Sequence, residues 1–268
     1  TCCSGITMDI LDLQEDTLNA YEGLESLPVI KDPQLKMMTQ QTWLGRMINE
    51  YGSSHVFESF AQQCSQTAND LELSEDSIER LYEFAREEKR HGILCGAVVE
   101  AFGGIASSQA LVSPPFPMHE DATALEGILR NLLSICCLSE TVAVALIAAE
   151  REDMPAGILK DLLTEIWSDE CGHAHFGWRQ LQQWLPDDPA LKIRLGEYLT
   201  VAFGHLEEHE LSHLPLTSTP PPEGAQYGLC SGKEARALFY ATVEGIIVPN
   251  LEQYGIPAQW AWNNRTTP

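Results

Sequence analysis

Asp169-Glu170-Cys171-Gly172-His173 and Glu87-Glu88-Lys89-Arg90-His91 are the two stretches on which the fold of this chain turns. Each holds a Glu-x-x-His pair inside a segment with helical apolar spacing. In one segment the apolar positions are Leu81, Phe84 and Ala85, then Cys95, Val98 and Phe102, with Glu88 and His91 between them. In the other, Leu159, Leu162, Leu163 and Ile166 precede Glu170 and His173, and Gly177 and Leu181 follow. Residues three apart on a helix are neighbours on one face, so both side chains of a pair can grip one ion. Both pairs interrupt faces that should pack into a core. A buried carboxylate is costly unless it is paired or bound to a metal. Taken alone the pattern is weak, and it recurs at Glu210-Leu211-Ser212-His213.

Partners strengthen two of the three matches. Glu58 and Glu140 each lie thirty residues before the Glu of a Glu-x-x-His pair, so the two halves repeat with an offset of eighty-two residues. Glu140 interrupts an apolar stripe of Leu129, Leu132, Leu133, Cys136, Ala143, Val144 and Ile147. The stripe around Glu58 is less clean, and Glu50 is the fallback on the same helix. Gln180 stands thirty residues before Glu210, so the third match does not join the repeat. Four helices of this kind point four carboxylates and two imidazoles at one interior site, the ligand set of di-iron and di-manganese bundles. Four negative charges balance two divalent ions, and the mixed oxygen and nitrogen donors suit iron or manganese better than copper(I).

The rest of the chain reads as all-α. Helices are expected over roughly 9–26, 32–69 (with a break allowed near Gly52), 74–103, 120–151, 155–185, 188–213 and 232–254. Asp32-Pro33 supplies an N-cap followed by proline at the first helical position. Pro-rich loops are expected at Ser113–Pro117 and at 215–224, the second as a stiff linker. The expected organisation is an N-terminal helix within 1–30, a four-helix bundle with a di-metal core over 31–186, and a C-terminal helical extension with an aromatic tail over 187–268.

Composition removes several classes of function. The 268 residues include 39 acidic and 16 basic side chains, a net charge of −23, which argues against nucleic-acid and anionic-membrane partners. The longest apolar stretch, Thr141–Ala149, is about half a membrane span, so no transmembrane helix is expected. The N-terminus shows no basic-then-apolar pattern, so no signal peptide is expected. None of the eight cysteines forms C-x-x-C, and Cys136-Cys137 sits in a helical apolar pattern. Buried small hydrophobes in a reducing cytoplasm are the expectation.

The stretches Glu87–His91 and Asp169–His173 resemble the E-E-x-R-H and D-E-x-R-H signatures of O₂-activating members of the ferritin-like di-iron carboxylate superfamily. The resemblance covers roughly residues 35–185. It implies that Glu58, Glu88 and His91 supply one half of a cluster and Glu140, Glu170 and His173 the other, with Glu88 and Glu170 as bridges. Glu87 and Asp169 would orient the ligand imidazoles. Position 172 is Gly where the signature prefers Arg. His55, one turn before Glu58, and Tyr51, a further turn back, are candidates for contact with the site. The implied activity is that of an oxidoreductase with two Fe ions, Mn/Fe and Mn/Mn being alternatives. It would activate O₂ or peroxide to oxidise or oxygenate a small organic substrate, with an external electron donor, as a monomer or homodimer.

Rival readings use the same residues. A ferroxidase or iron-storage protein makes iron the substrate, but the segment after 185 exceeds what a compact cage subunit needs. A rubrerythrin-like peroxidase normally brings a C-x-x-C iron module, which this sequence lacks. A non-catalytic metal scaffold is a further class. His205-Leu206-Glu207-Glu208-His209 matches the inverted zinc-hydrolase motif H-x-x-E-H, with His213 extending the stripe. The bland alternative there is a solvated acidic helix. Trp43, Trp167, Trp178 and Trp184 are expected to be packing residues.

Overall fold

A computed structural model describes residues 10–109 and 115–266. Cys2, Cys3 and the start of the first Pro-rich loop, Ser113 and Pro114, lie outside them. The described chain is all-helical apart from one two-stranded ladder. β1 (Ile10–Asp12) pairs antiparallel with β2 (Ser107–Gln109). Between them run α1 (Pro33–Leu71) and α2 (Glu75–Ala101). Beyond residue 115, α3 (Ala124–Leu132) passes through a π-helical stretch, Leu133–Ser139, into α4 (Glu140–Asp153). Then come α5 (Ile158–Trp184), α6 (Pro189–His213), α7 (Gly232–Thr242), a second π stretch (Val243–Ile247), α8 (Val248–Gln253) and α9 (Ala258–Asn263).

Local chemistry explains most of the boundaries. Asp32 Oδ1 accepts from the Leu35 amide at 2.8 Å, with Pro33 at the first helical position. Ser74, Thr123, Asp188 and Ser231 cap α2, α3, α6 and α7 in the same manner. α1 runs unbroken past Gly52.

The helix expected over 9–26 does not form among the described residues. Residues 10–12 pair with a distant strand, Asn19 and Gly23 adopt positive φ (60° and 92°), and only a 3₁₀ turn forms, at Leu24–Ser26. A left-handed residue ends any α-helix that reaches it. The Pro-rich segment 215–224 is likewise partly helical, because a 3₁₀ turn opens at Pro222.

The chain divides into two compact units: Thr1–Gln62 with Ser74–Phe116, and Gln63–Leu73 with Pro117–Pro268. In the first unit Trp43, Met47, Phe57, Phe60, Leu81, Phe84 and Val98 are fully buried. Phe57 meets Phe84 edge-on at 5.5 Å, and Gln40 donates to the Phe102 carbonyl at 2.8 Å. In the second unit Leu129, Leu133, Cys136, Val142, Leu162 and Leu163 form the core around α4 and α5. α4 also packs on α7, and α6 on α9. Trp167 Nε1 donates to the Val144 carbonyl at 3.2 Å and Trp178 Nε1 to Thr141 Oγ1 at 3.1 Å. These two bonds fix α5 against α4.

The continuous helical run Ala124–Asp153 is long and apolar enough, by length and composition, to cross a membrane. The run exceeds the Thr141–Ala149 stretch because polar residues such as Asn131, Ser134 and Glu140 are spread along it. A core helix passes the same test, and this run supplies Ile128, Leu132, Cys137 and Ile147 to the second unit's core.

Candidate metal centre

Each unit gathers two glutamates and one histidine. In the first unit, α2 carries Glu88 and His91 on one face, buried to 2% and 0% exposure. Facing them from α1 is Glu50, whose Oε2 lies 3.5 Å from His91 Nδ1. One ligand atom from each of Glu50, Glu88 and His91 lies within 4.8 Å of the others. Gly92 makes this approach feasible. A Cβ there would sit 3.0 Å from Tyr51 Cβ and 3.3 Å from the Met47 carbonyl, so α1 comes close to α2 beside the ligand pair.

In the second unit, Glu170 and His173 lie on α5, and Glu140 is the first residue of α4. His173 Nδ1 lies 3.2 Å from Glu170 Oε2 and 3.4 Å from Glu140 Oε2. These three side chains also present ligand atoms within 4.8 Å of one another. Exposures are 6% for Glu140, 2% for Glu170 and 0% for His173. Again a glycine sets the approach. A Cβ on Gly177, one turn after His173, would fall 2.5 Å from Cys136 Cβ and 2.8 Å from its carbonyl carbon. Cys136 belongs to the π stretch that ends where Glu140 begins. A π turn inserts an extra residue into the helical winding, which rotates every later side chain, and such turns concentrate at functional sites.

The donors fit a divalent metal. In both units an imidazole turns the same nitrogen, Nδ1, toward carboxylate oxygens. Two carboxylates crowded around one ring away from water repel each other and lose hydration, and a cation relieves both costs. Oxygen and imidazole ligands without thiolate suit iron, manganese or zinc. Burial pushes the Cys136 thiol far up, with Cys137 and Glu140 adding to the effect, and lifts Cys64 to about 12. A buried cluster of Glu and His that can bind a metal ion therefore stands in each unit.

Five of the six expected ligands fall in these clusters: Glu88, His91, Glu140, Glu170 and His173. The sixth does not. Glu58 is exposed, and Glu50, two turns earlier on α1, stands beside His91. The thirty-residue spacing shared by Glu58–Glu88 and Glu140–Glu170 does not bring Glu58 into a cluster. Among the other candidates, His55 is exposed and packs edge-on against the half-buried Tyr51 at 5.5 Å. Glu87 accepts a hydrogen bond from Arg80 Nη1 at 3.1 Å, and Asp169 is half-buried. His205, His209 and His213 are all exposed on α6.

Comparison with models of protein families, with curated proteins and with solved structures gives no match to this chain.

Proposed function

We propose that the two triads serve one pair of divalent metal ions in a ferritin-like four-helix bundle, and that the protein is a di-iron carboxylate oxidoreductase. One observation carries this reading: two separate helix pairs each bring a Glu and a Glu-x-x-His together, with the imidazoles fully buried. A structural accident producing one such cluster is unremarkable; two clusters of identical donor type are not explained by packing. When bound, two Fe(II) ions supply the two electrons that activate O₂ or peroxide for oxidation or oxygenation of a small organic substrate, with Mn/Fe and Mn/Mn as alternatives.

The side chains have distinct roles in this reading. Glu50, Glu88 and His91 would hold metal from one helix pair and Glu140, Glu170 and His173 from the other, with Glu88 and Glu170 the carboxylates that the ions would share. His91 and His173 bind through Nδ1 as neutral ligands, which keeps four negative charges against four positive ones. The indole of Trp178 holds Thr141, the residue after Glu140, and so keeps that carboxylate in register. Phe84 and Ile166, one turn before Glu88 and Glu170 on their helices, are buried and would help to keep water from the ions. Reducing equivalents come from an external donor, and a reducing compartment keeps the thiols free. Ferroxidase activity is the second reading, since the acidic surface attracts Fe(II).

Anomalous diffraction at the iron and manganese edges tests the reading. Two ions bridged by Glu88 and Glu170 are expected; a single ion, or none, sinks it. Native mass separates the oxidase from storage, because a large closed shell would favour storage. Oxygen uptake by the Fe(II)-loaded chain separates either from an inert scaffold.

A further inference from the structure

His209-Glu210-Leu211-Ser212-His213 reads H-E-x-x-H, four residues further along than the inverted motif that begins at His205. On a helix this order places two imidazoles one turn apart on one face, with the glutamate beside them. α6 is helical through His213. The His209 and His213 rings pack edge to face with centroids 4.8 Å apart. The end of α6 that carries them is held from outside. Arg236 on α7 donates from Nη2 to the Leu211 carbonyl at 2.8 Å and from Nε to the Leu214 carbonyl. Ser212 Oγ donates to the His209 carbonyl at 2.6 Å. A helix terminus that would otherwise fray is thus pinned where both histidines sit.

We propose that His209 and His213 chelate a single zinc-type divalent ion, separate from the carboxylate triads, with Glu210 accepting a hydrogen bond from water on that ion. The i, i+4 spacing lets one nitrogen of each ring reach a tetrahedral ion at about 2 Å, water filling the other positions. Imidazole donors select zinc and its neighbours over calcium or magnesium. Glu210 lies about 100° round the helix from His209, so it flanks the ion rather than capping it. Both rings reach solvent, so an ion can arrive without displacing core packing. Imidazole binds metal in its neutral form. This site does not depend on the dinuclear reading.

Zinc(II) alone, titrated calorimetrically into the full chain and into the His209→Ala/His213→Ala double variant, tests the proposal. Both residues are exposed, so the variants should retain the fold, which far-ultraviolet circular dichroism would verify. The double variant should bind one zinc fewer per chain, and each single variant should weaken that step by roughly tenfold or more. Glu210→Gln should retain the ion. Equal zinc content in the double variant overturns the site, as does loss of the same step in His205→Ala with none in His213→Ala. Failure of the dinuclear reading would appear instead at Glu88 and Glu170, and would leave this step in place.

Discussion

In the first unit the glutamate of α1 that meets the Glu-x-x-His pair, Glu50, comes from the middle of an unbroken 39-residue helix. In the second unit its counterpart, Glu140, is the first α-helical residue after a seven-residue π stretch. Both triads nevertheless put a glycine at or one turn beyond the histidine, Gly92 after His91 and Gly177 after His173, and in both the Glu-bearing helix closes on that glycine. The exposure differs: the Glu50 side chain is 15% accessible and Glu140 8%. Two routes therefore reach the same donor set. One uses the crossing point of two long helices; the other rewinds a helix locally so that a carboxylate turns inward.

Glu170→Ala is expected to have the largest effect. On the proposed reading both ions would share this carboxylate, so metal content should fall to near zero; two metals per chain in this variant would separate the triads into independent sites. Removing metal by chelation ranks next. Buried carboxylates left without a cation should lower stability by roughly 3 kcal/mol, the linkage expected for an ion held at about 100 times its dissociation constant. The melting temperature with and without chelator measures it, and an unchanged value would leave the clusters as purely structural.

Glu50→Ala against Glu58→Ala then distinguishes the two candidates on α1. Losing Glu50 should weaken metal binding by about 10- to 100-fold, the order of effect seen when a group that supports a metal site is removed. Losing the exposed Glu58 should change nothing measurable by metal titration. The reverse ranking would restore the sequence repeat over the observed geometry. The smallest effects concern the glycines. Gly177→Ala places a methyl group 2.5 Å from Cys136 Cβ and should cost about 1–3 kcal/mol in denaturant unfolding. Gly92→Ala meets Tyr51 Cβ at 3.0 Å and should cost less, about 1 kcal/mol. Equal costs would mean that the π stretch yields as readily as the α1–α2 crossing.

Where the sequence could be read, the reason was local. Glu88 with His91 and Glu170 with His173 are fixed as pairs by helical geometry alone, and their place among apolar residues marks them as buried. The caps at Asp32, Ser74 and Asp188 are equally local. The H-E-x-x-H order at His209 overlaps the inverted motif that begins at His205 and is local in the same sense. The N-terminal helix failed because β1 draws its partner from residues 107–109, about a hundred positions away, and because Asn19 and Gly23 turn left-handed. Apolar spacing carries no record of either event.

The sequence by itself determined that this chain is helical, that two helices bear metal-competent Glu-x-x-His pairs, and that Glu140 belongs with one of them. Only the tertiary structure decided that Glu50 rather than Glu58 stands beside His91, and that a π turn precedes Glu140. The physical reason is that spacing along one helix is set by backbone hydrogen bonds, residue by residue. The point at which one helix meets another is set by crossing geometry and by the few positions, here Gly92 and Gly177, where a missing side chain lets the backbones draw near.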